Sequence, residues 1–310
     1  MNELVSASPV VWFAAVASLL IWMAASPASK QPRKLLLLIA VLAFEPLCDR
    51  VIHAEDKLTP LKYDYFLQAI DHSLGFTAFM AASALQGLKA PLFVAYQSLT
   101  LFMVIWYGVN LMAKGGRPRQ LLWAYVILFS VCPALYLIVP AAGPRHAFRA
   151  AFPFTEQRPH IDLVALSGFP NAIPSLHIAA AFALLYFAGE VKIWRTIGAA
   201  FLTLTGLATL AFEHYVIDLV VGVAFSAFAV LAAGGRWHRA GPYFALVLTW
   251  LLTIRYATPW LVEHSWLLRA CAAVTVIACA WEVLLQWGFL RAVPRPAEPG
   301  KVGLQPADVA

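Results

Sequence analysis

Residues 213–235 read EHYVIDLVVGVAFSAFAVLAAGG, and this stretch decides the architecture. After Asp218 no ionisable residue appears until Arg236. A helix needs about 20 apolar residues to cross the hydrocarbon core of a bilayer. The stretch therefore reads as a transmembrane helix over about 214–233. Its polar residues sit at one end only. His214 and Asp218 are four apart, so on a helix they share one face. An acid four residues into an apolar helix is costly to bury, which makes it a functional candidate by default.

Working outward, eight further apolar segments appear, near 5–25, 34–48, 90–113, 120–141, 173–190, 194–212, 242–261 and 265–289. The whole chain has 310 residues, 62% hydrophobic and 12% charged. A soluble domain carries about 25% charged residues. The expected fold is therefore all-α: a polytopic membrane helix bundle of about nine transmembrane helices. The expected divisions are N-terminal transmembrane helices (1–60), a central membrane domain (61–235), C-terminal transmembrane helices (236–292) and a disordered tail (293–310). Tyr63–Leu88 looks amphipathic and is expected along the interface.

Basic residues orient the bundle. With the N-terminus outside, every short loop assigned inside carries at least two Lys or Arg, as in Lys192 with Arg195 and Arg236 with Arg239. That is the positive-inside pattern. Acids such as Asp64, Asp71, Glu156 and Glu213 then fall outside. The net charge of +6 follows from those inner loops. No basic stripe interleaved with aromatics points to nucleic acid. Cys48, Cys132, Cys271 and Cys279 all lie in apolar runs and read as packing residues. No Lys or Arg precedes Lys30, which argues against a cleaved signal peptide. The first run is thus expected to be retained, in a bacterial inner membrane with the active face toward the periplasm.

Three polar sets converge on that outer face. Pro174-Ser175-Leu176-His177 opens the fifth span, where a first-turn Pro and free backbone N–H groups make an anion site. Arg145, after Gly143-Pro144 at the end of the fourth span, offers a fork of donors to phosphate. His214 and Asp218 open the seventh. A carboxylate on one imidazole nitrogen fixes the tautomer and leaves the other nitrogen as nucleophile or base.

In order and placement these motifs resemble the type 2 phosphatidic acid phosphatase superfamily, over roughly residues 60–235, a resemblance that implies a catalytic membrane domain over 61–235 with a six-helix catalytic core. The family has an Arg-bearing first motif, a Pro-Ser-x-His second and a third ending in His-x-x-x-Asp. There are departures. Leu176 stands where the family usually has Gly. Ala151 stands where its first motif has Lys. Leu207 and Ala208 replace a Ser-Arg pair, so a second phosphate-gripping arginine has no match and Arg149 and Arg158 are the candidates. Pro-Ser-Leu-His with His-Tyr-x-x-Asp is similar to the inositol phosphorylceramide synthase branch, as is Tyr63-Asp64-Tyr65-Phe66-Leu67-Gln68-Ala69-Ile70-Asp71.

The resemblance implies that His214 attacks phosphorus, Asp218 orients it, and His177 serves as acid and then base. It implies Arg145 and Ser175 as phosphate ligands, a lipid phosphate or phospholipid as substrate, and water or an alcohol as acceptor. No cofactor and no metal is expected, because no carboxylate cluster suggests one. A proton-coupled transporter using Asp218 and Glu45 is the competing class; the lack of visible repeats weighs against it.

Overall fold

The computed structural model describes residues 50–113, 116–156, 160–166, 168–189 and 191–288. The first two expected spans, Glu45, Arg158 and the tail from Val293 lie outside the described residues. What is described is helical almost throughout. Its one sheet is a two-residue antiparallel pair, Leu61–Lys62 with Val164–Ala165.

The helices are α1 (Asp64–Leu74), α2 (Ala78–Ala84), α3 (Lys89–Gln97), α4 (Leu99–Met112), α5 (Pro118–Tyr136), α6 (Leu176–Tyr186), α7 (Lys192–Phe212), α8 (Val216–Ala233), α9 (Trp237–Glu263) and α10 (Ser265–Gln286). A single helical turn, Pro144–Phe148, follows α5. Among the described residues, α5, α7, α8, α9 and α10 are long and apolar enough to cross a membrane. The segments Ala78–Ala84 and Gln86–Gln97 make a sixth candidate, bent by 63°.

Two expected spans are altered. The segment 90–113 is divided at Ser98, whose hydroxyl donates to the Ala95 carbonyl and closes α3. The segment 173–190 contains only the 11-residue α6. At 1.5 Å per residue this helix rises about 16 Å, half a bilayer core. Every residue from Ile178 to Tyr186 is buried. A helix that is apolar all round reads the same whether lipid or protein surrounds it. Here protein does.

Small residues let α6 and α8 approach closely. A Cβ on Gly222 would stand 2.8 Å from the Ser175 carbonyl oxygen. One turn on, the buried Ser226 hydroxyl donates to the Ala179 carbonyl at 2.6 Å. Small residues four apart serve such contacts between membrane helices. The α8 helix also packs on α5, α9 and α10, so it sits at the centre of the bundle.

At the end of the bundle away from the histidines Asn110 ties three segments together. Its amide donates to the Trp106 and Phe187 carbonyls at 3.1 and 3.2 Å, and its oxygen accepts from the Arg117 N–H at 3.3 Å. Asn110→Ala removes the side-chain donor to the Phe187 carbonyl and the acceptor for the Arg117 N–H, and is expected to destabilise the fold by about 1–3 kcal/mol. Denaturant titration in micelles measures this, and an unchanged midpoint would show that Asn110 is dispensable.

The amphipathic segment after Tyr63 does not end on lipid. The buried side of α1 packs against α9, α10 and the start of α8 and carries Asp64, Leu67, Ile70 and Asp71. Its hydrophobic periodicity is real, but the face it covers belongs to the protein.

Candidate active site

Helix starts position the polar residues. Ser175 is the N-cap of α6, its hydroxyl accepting from the Ile178 N–H at 3.4 Å. Pro174 therefore lies before the cap, not in the first turn as the sequence suggested. His177 is the second residue of the helix. The N–H groups of Leu176 and His177 precede the first i→i−4 bond, so the helix itself does not use them. Ser175 is fully buried and its oxygen is engaged as a cap.

His214 precedes α8 and is buried. Its Nδ1 lies 2.8 Å from the Ala172 carbonyl oxygen and 3.4 Å from Asp218 Oδ2. A carbonyl can only accept, so Nδ1 carries the proton and Nε2 keeps its lone pair. The nearer orienting group is thus a backbone carbonyl, which no reading of side-chain motifs reveals. Asp218 Oδ2 also accepts the Tyr215 N–H at 2.8 Å, while Oδ1 has no hydrogen-bond partner. The Asp218 carbonyl in turn accepts the Ser175 N–H at 3.1 Å, joining the starts of α6 and α8.

The His177 and His214 rings stand 6.1 Å apart between centroids, at 64°. On its other side His177 stacks on Tyr96 at 4.1 Å, and the Tyr96 hydroxyl donates to Glu213 Oε2 at 2.8 Å. Neither Tyr96 nor Glu213 stood out in the sequence as a partner of His177. A cavity of about 330 Å³ opens beside His177, lined also by Gln97, Thr100, Asn171 and Glu213. Among the described residues no group of His, Cys, Asp or Glu is arranged to hold a metal ion.

Arg145 lies in the turn Pro144–Phe148, half-buried. The residue before that turn, Gly143, has φ 85° and ψ 159°. An added Cβ there would stand 2.0 Å from the Glu213 carbonyl oxygen. The turn carrying Arg145 is thus packed on the backbone just before His214. Arg149 follows on the exposed side with φ 46°.

Asp64 and Asp71 complete the network from α1. Asp64 accepts the Ala142 and Gly143 N–H groups at 3.0 and 2.8 Å and the Tyr215 hydroxyl at 3.0 Å. Asp71 accepts the Val216 and Ile217 N–H groups at 2.8 and 3.1 Å. Burial pushes the Asp64 carboxyl up to about 7, with its three donors pulling the other way. Burial likewise pushes Asp71 well above the ordinary carboxylate range.

Comparison with known proteins gives one match. The family model described as PAP2 superfamily matches residues 66–232, more than half of the chain and the segment that holds every residue named above except Asp64. No curated protein and no solved structure matches.

Proposed function

This chain belongs to the PAP2 superfamily, and we propose that it is a multi-pass membrane enzyme transferring a phosphoryl or phospho-headgroup from a lipid through a phosphohistidine on His214. The observation that carries this reading is the pair of imidazoles 6.1 Å apart, with His214 Nδ1 held by the Ala172 carbonyl. That hydrogen bond leaves Nε2 as the nucleophile.

In the first half-reaction, a bond forms from His214 Nε2 to phosphorus and the bond to the leaving oxygen breaks. The substrate phosphate beside His177 favours its protonated form, and His177 gives that proton to the leaving oxygen. In the second, water or an alcohol attacks phosphorus, the phosphorus–nitrogen bond breaks, and His177 takes the incoming proton. Acid–base help of this kind is worth about 10²–10⁴-fold. Asp218 balances the positive charge that His214 gains. Arg145, the Ser175 hydroxyl proton and the first N–H groups of α6 hold the phosphoryl oxygens.

The acceptor side is read from the motifs. Pro-Ser-Leu-His and the Asp64–Asp71 segment favour the inositol phosphorylceramide synthase-like branch, hence transfer to an alcohol or hydrolysis of a bulky lipid phosphate. Loop charges favour a site on the side away from the cytoplasm, which in a bacterial inner membrane is the periplasm. The transporter alternative is not favoured: family membership accounts for the His and Asp residues, and among the described residues the one bent helix pair has no counterpart.

The test uses purified protein in detergent with phosphatidic acid, a prenyl phosphate or a phospholipid as donor, with and without an alcohol acceptor. Phosphate release or headgroup transfer is expected, with radiolabel retained on the protein after alkaline quench and lost in acid, as a phosphohistidine requires. No turnover of any donor, or turnover with an acid-stable adduct, would sink the reading.

A further inference from the structure

Asp64 and Asp71 are both fully buried on α1. Seven residues is two helical turns, so the two carboxylates lie on one face, about 10 Å apart along the axis. Asp71 also bonds the nearby Ala78 N–H, but the other side-chain bonds of both acids run to groups far along the chain. Asp64 takes the N–H groups of Ala142 and Gly143, two residues before Arg145. Asp71 takes those of Val216 and Ile217, two residues after His214. Asp64 Oδ1 also accepts the hydroxyl of Tyr215, so one oxygen bonds both segments at once.

Each acid faces a pair of adjacent backbone donors. A carboxyl group answers such a pair because each of its two oxygens can accept. An amide would turn its own N–H toward one donor and lose that bond. The arrangement also decides where substrate phosphate goes. The first N–H groups of α8 are taken by Asp71, and the Tyr215 N–H by Asp218. The positive end of α8 is thus occupied by carboxylates of the protein. The N–H groups of Leu176 and His177 at the start of α6 are not used by that helix.

Resting on the function proposed above, we propose that Asp64 and Asp71 are positioning residues, with α1 the strut that holds the Arg145 turn and the His214 helix start at a fixed spacing. They touch no substrate. Asp64 governs the grip on the phosphoryl group through the turn of Arg145. Asp71 governs the chemical step through the segment that carries His214 and Asp218. Ordering α1 alone would require bonds within α1, and these bonds leave it.

Two measurements on the full chain in detergent test this. Amide hydrogen exchange reads the clamp without turnover. Asp64→Asn is expected to speed exchange at 142–143, and Asp71→Asn at 216–217, each by about tenfold, with the membrane spans still protected. Tyr215→Phe, a milder change, is expected to act on the Asp64 side alone. Kinetics then separate the roles. Asp64→Asn should raise KM for a lipid phosphate about tenfold, as Arg145→Ala does, and add less than about twofold on top of Arg145→Ala. Asp71→Asn should lower kcat with KM little changed.

Unchanged exchange at both amide pairs would overturn the proposal. So would uniformly faster exchange across the spans in all three variants, or equal losses in kcat and KM from both Asp variants. Turnover of wild-type size by a His214 variant would instead remove the functional reading and leave the exchange result to judge the clamp.

Discussion

Replacing His214 by asparagine is expected to leave the fold standing and lower turnover by about 10⁴-fold or more, as loss of a covalent nucleophile does. Asparagine is the informative choice. Its Nδ2 sits near the place of imidazole Nδ1 and can still donate to the Ala172 carbonyl, which lies 2.8 Å from that nitrogen. What disappears is Nε2. Alanine would remove both, leave a buried carbonyl unpaired and mix about 1–3 kcal/mol of destabilisation into the result. The same geometry ranks Asp218. Where a carboxylate alone holds the tautomer, its amide variant presents the wrong hydrogen-bonding partner and loses about 10⁴-fold. Here the carbonyl holds the tautomer and Asp218 Oδ2 is the more distant contact, at 3.4 Å. Asp218→Asn is therefore expected to lose closer to about 10²-fold, from charge balance alone. Single-turnover rates and thermal midpoints for the three variants decide it. An Asp218→Asn loss as large as that of His214→Asn would show that the carboxylate, not Ala172, fixes the ring.

The sequence carries some of this and hides the rest. The long spans are legible because lipid demands an unbroken apolar run, so α5, α7, α8, α9 and α10 lie where hydropathy puts them. His177, His214 and Asp218 stand out because ionisable residues at the ends of such runs have few structural uses, and the fold brings the two rings to 6.1 Å with Asp218 beside His214. The shortness of α6 is not legible, since a helix wrapped by protein has the composition of one wrapped by lipid. The Ala172 carbonyl is hidden because a backbone acceptor leaves no mark on residue type. Asp64 and Asp71 show their seven-residue spacing, yet apart from Ala78 their partners lie 78 to 151 positions away. A pairing of that range has no local signal. The carboxylates read as ordinary surface acids of an amphipathic helix until the fold brings the donors to them.

Gly143→Ala is the second large effect. Two separate penalties meet at this residue. Its φ of 85° with ψ of 159° lies in a region that only glycine enters readily, worth about 1–3 kcal/mol of strain for any other residue. The added methyl would also stand 2.0 Å from the Glu213 carbonyl oxygen, inside any tolerable contact. That oxygen is backbone, fixed by its neighbours, and cannot swing away as a side-chain tip does. Either the Arg145 turn or the segment leading into His214 must move. Misplacement of about 1 Å in such a site costs about 10²-fold in rate. The expected result is a lower thermal midpoint together with a loss of turnover of at least that size. Gly235→Ala separates the two penalties. Gly235 also has positive φ, 73°, but nothing lies within 4 Å of its added Cβ, and it sits at the inner end of α8, away from the histidines. It should show backbone strain alone: a modest loss of stability with turnover retained. If Gly143→Ala behaved like Gly235→Ala, the close approach of the Arg145 turn to His214 would not matter to the chemistry. If it abolished turnover while keeping most of the stability, that approach would be what sets the phosphate-gripping group against the nucleophile.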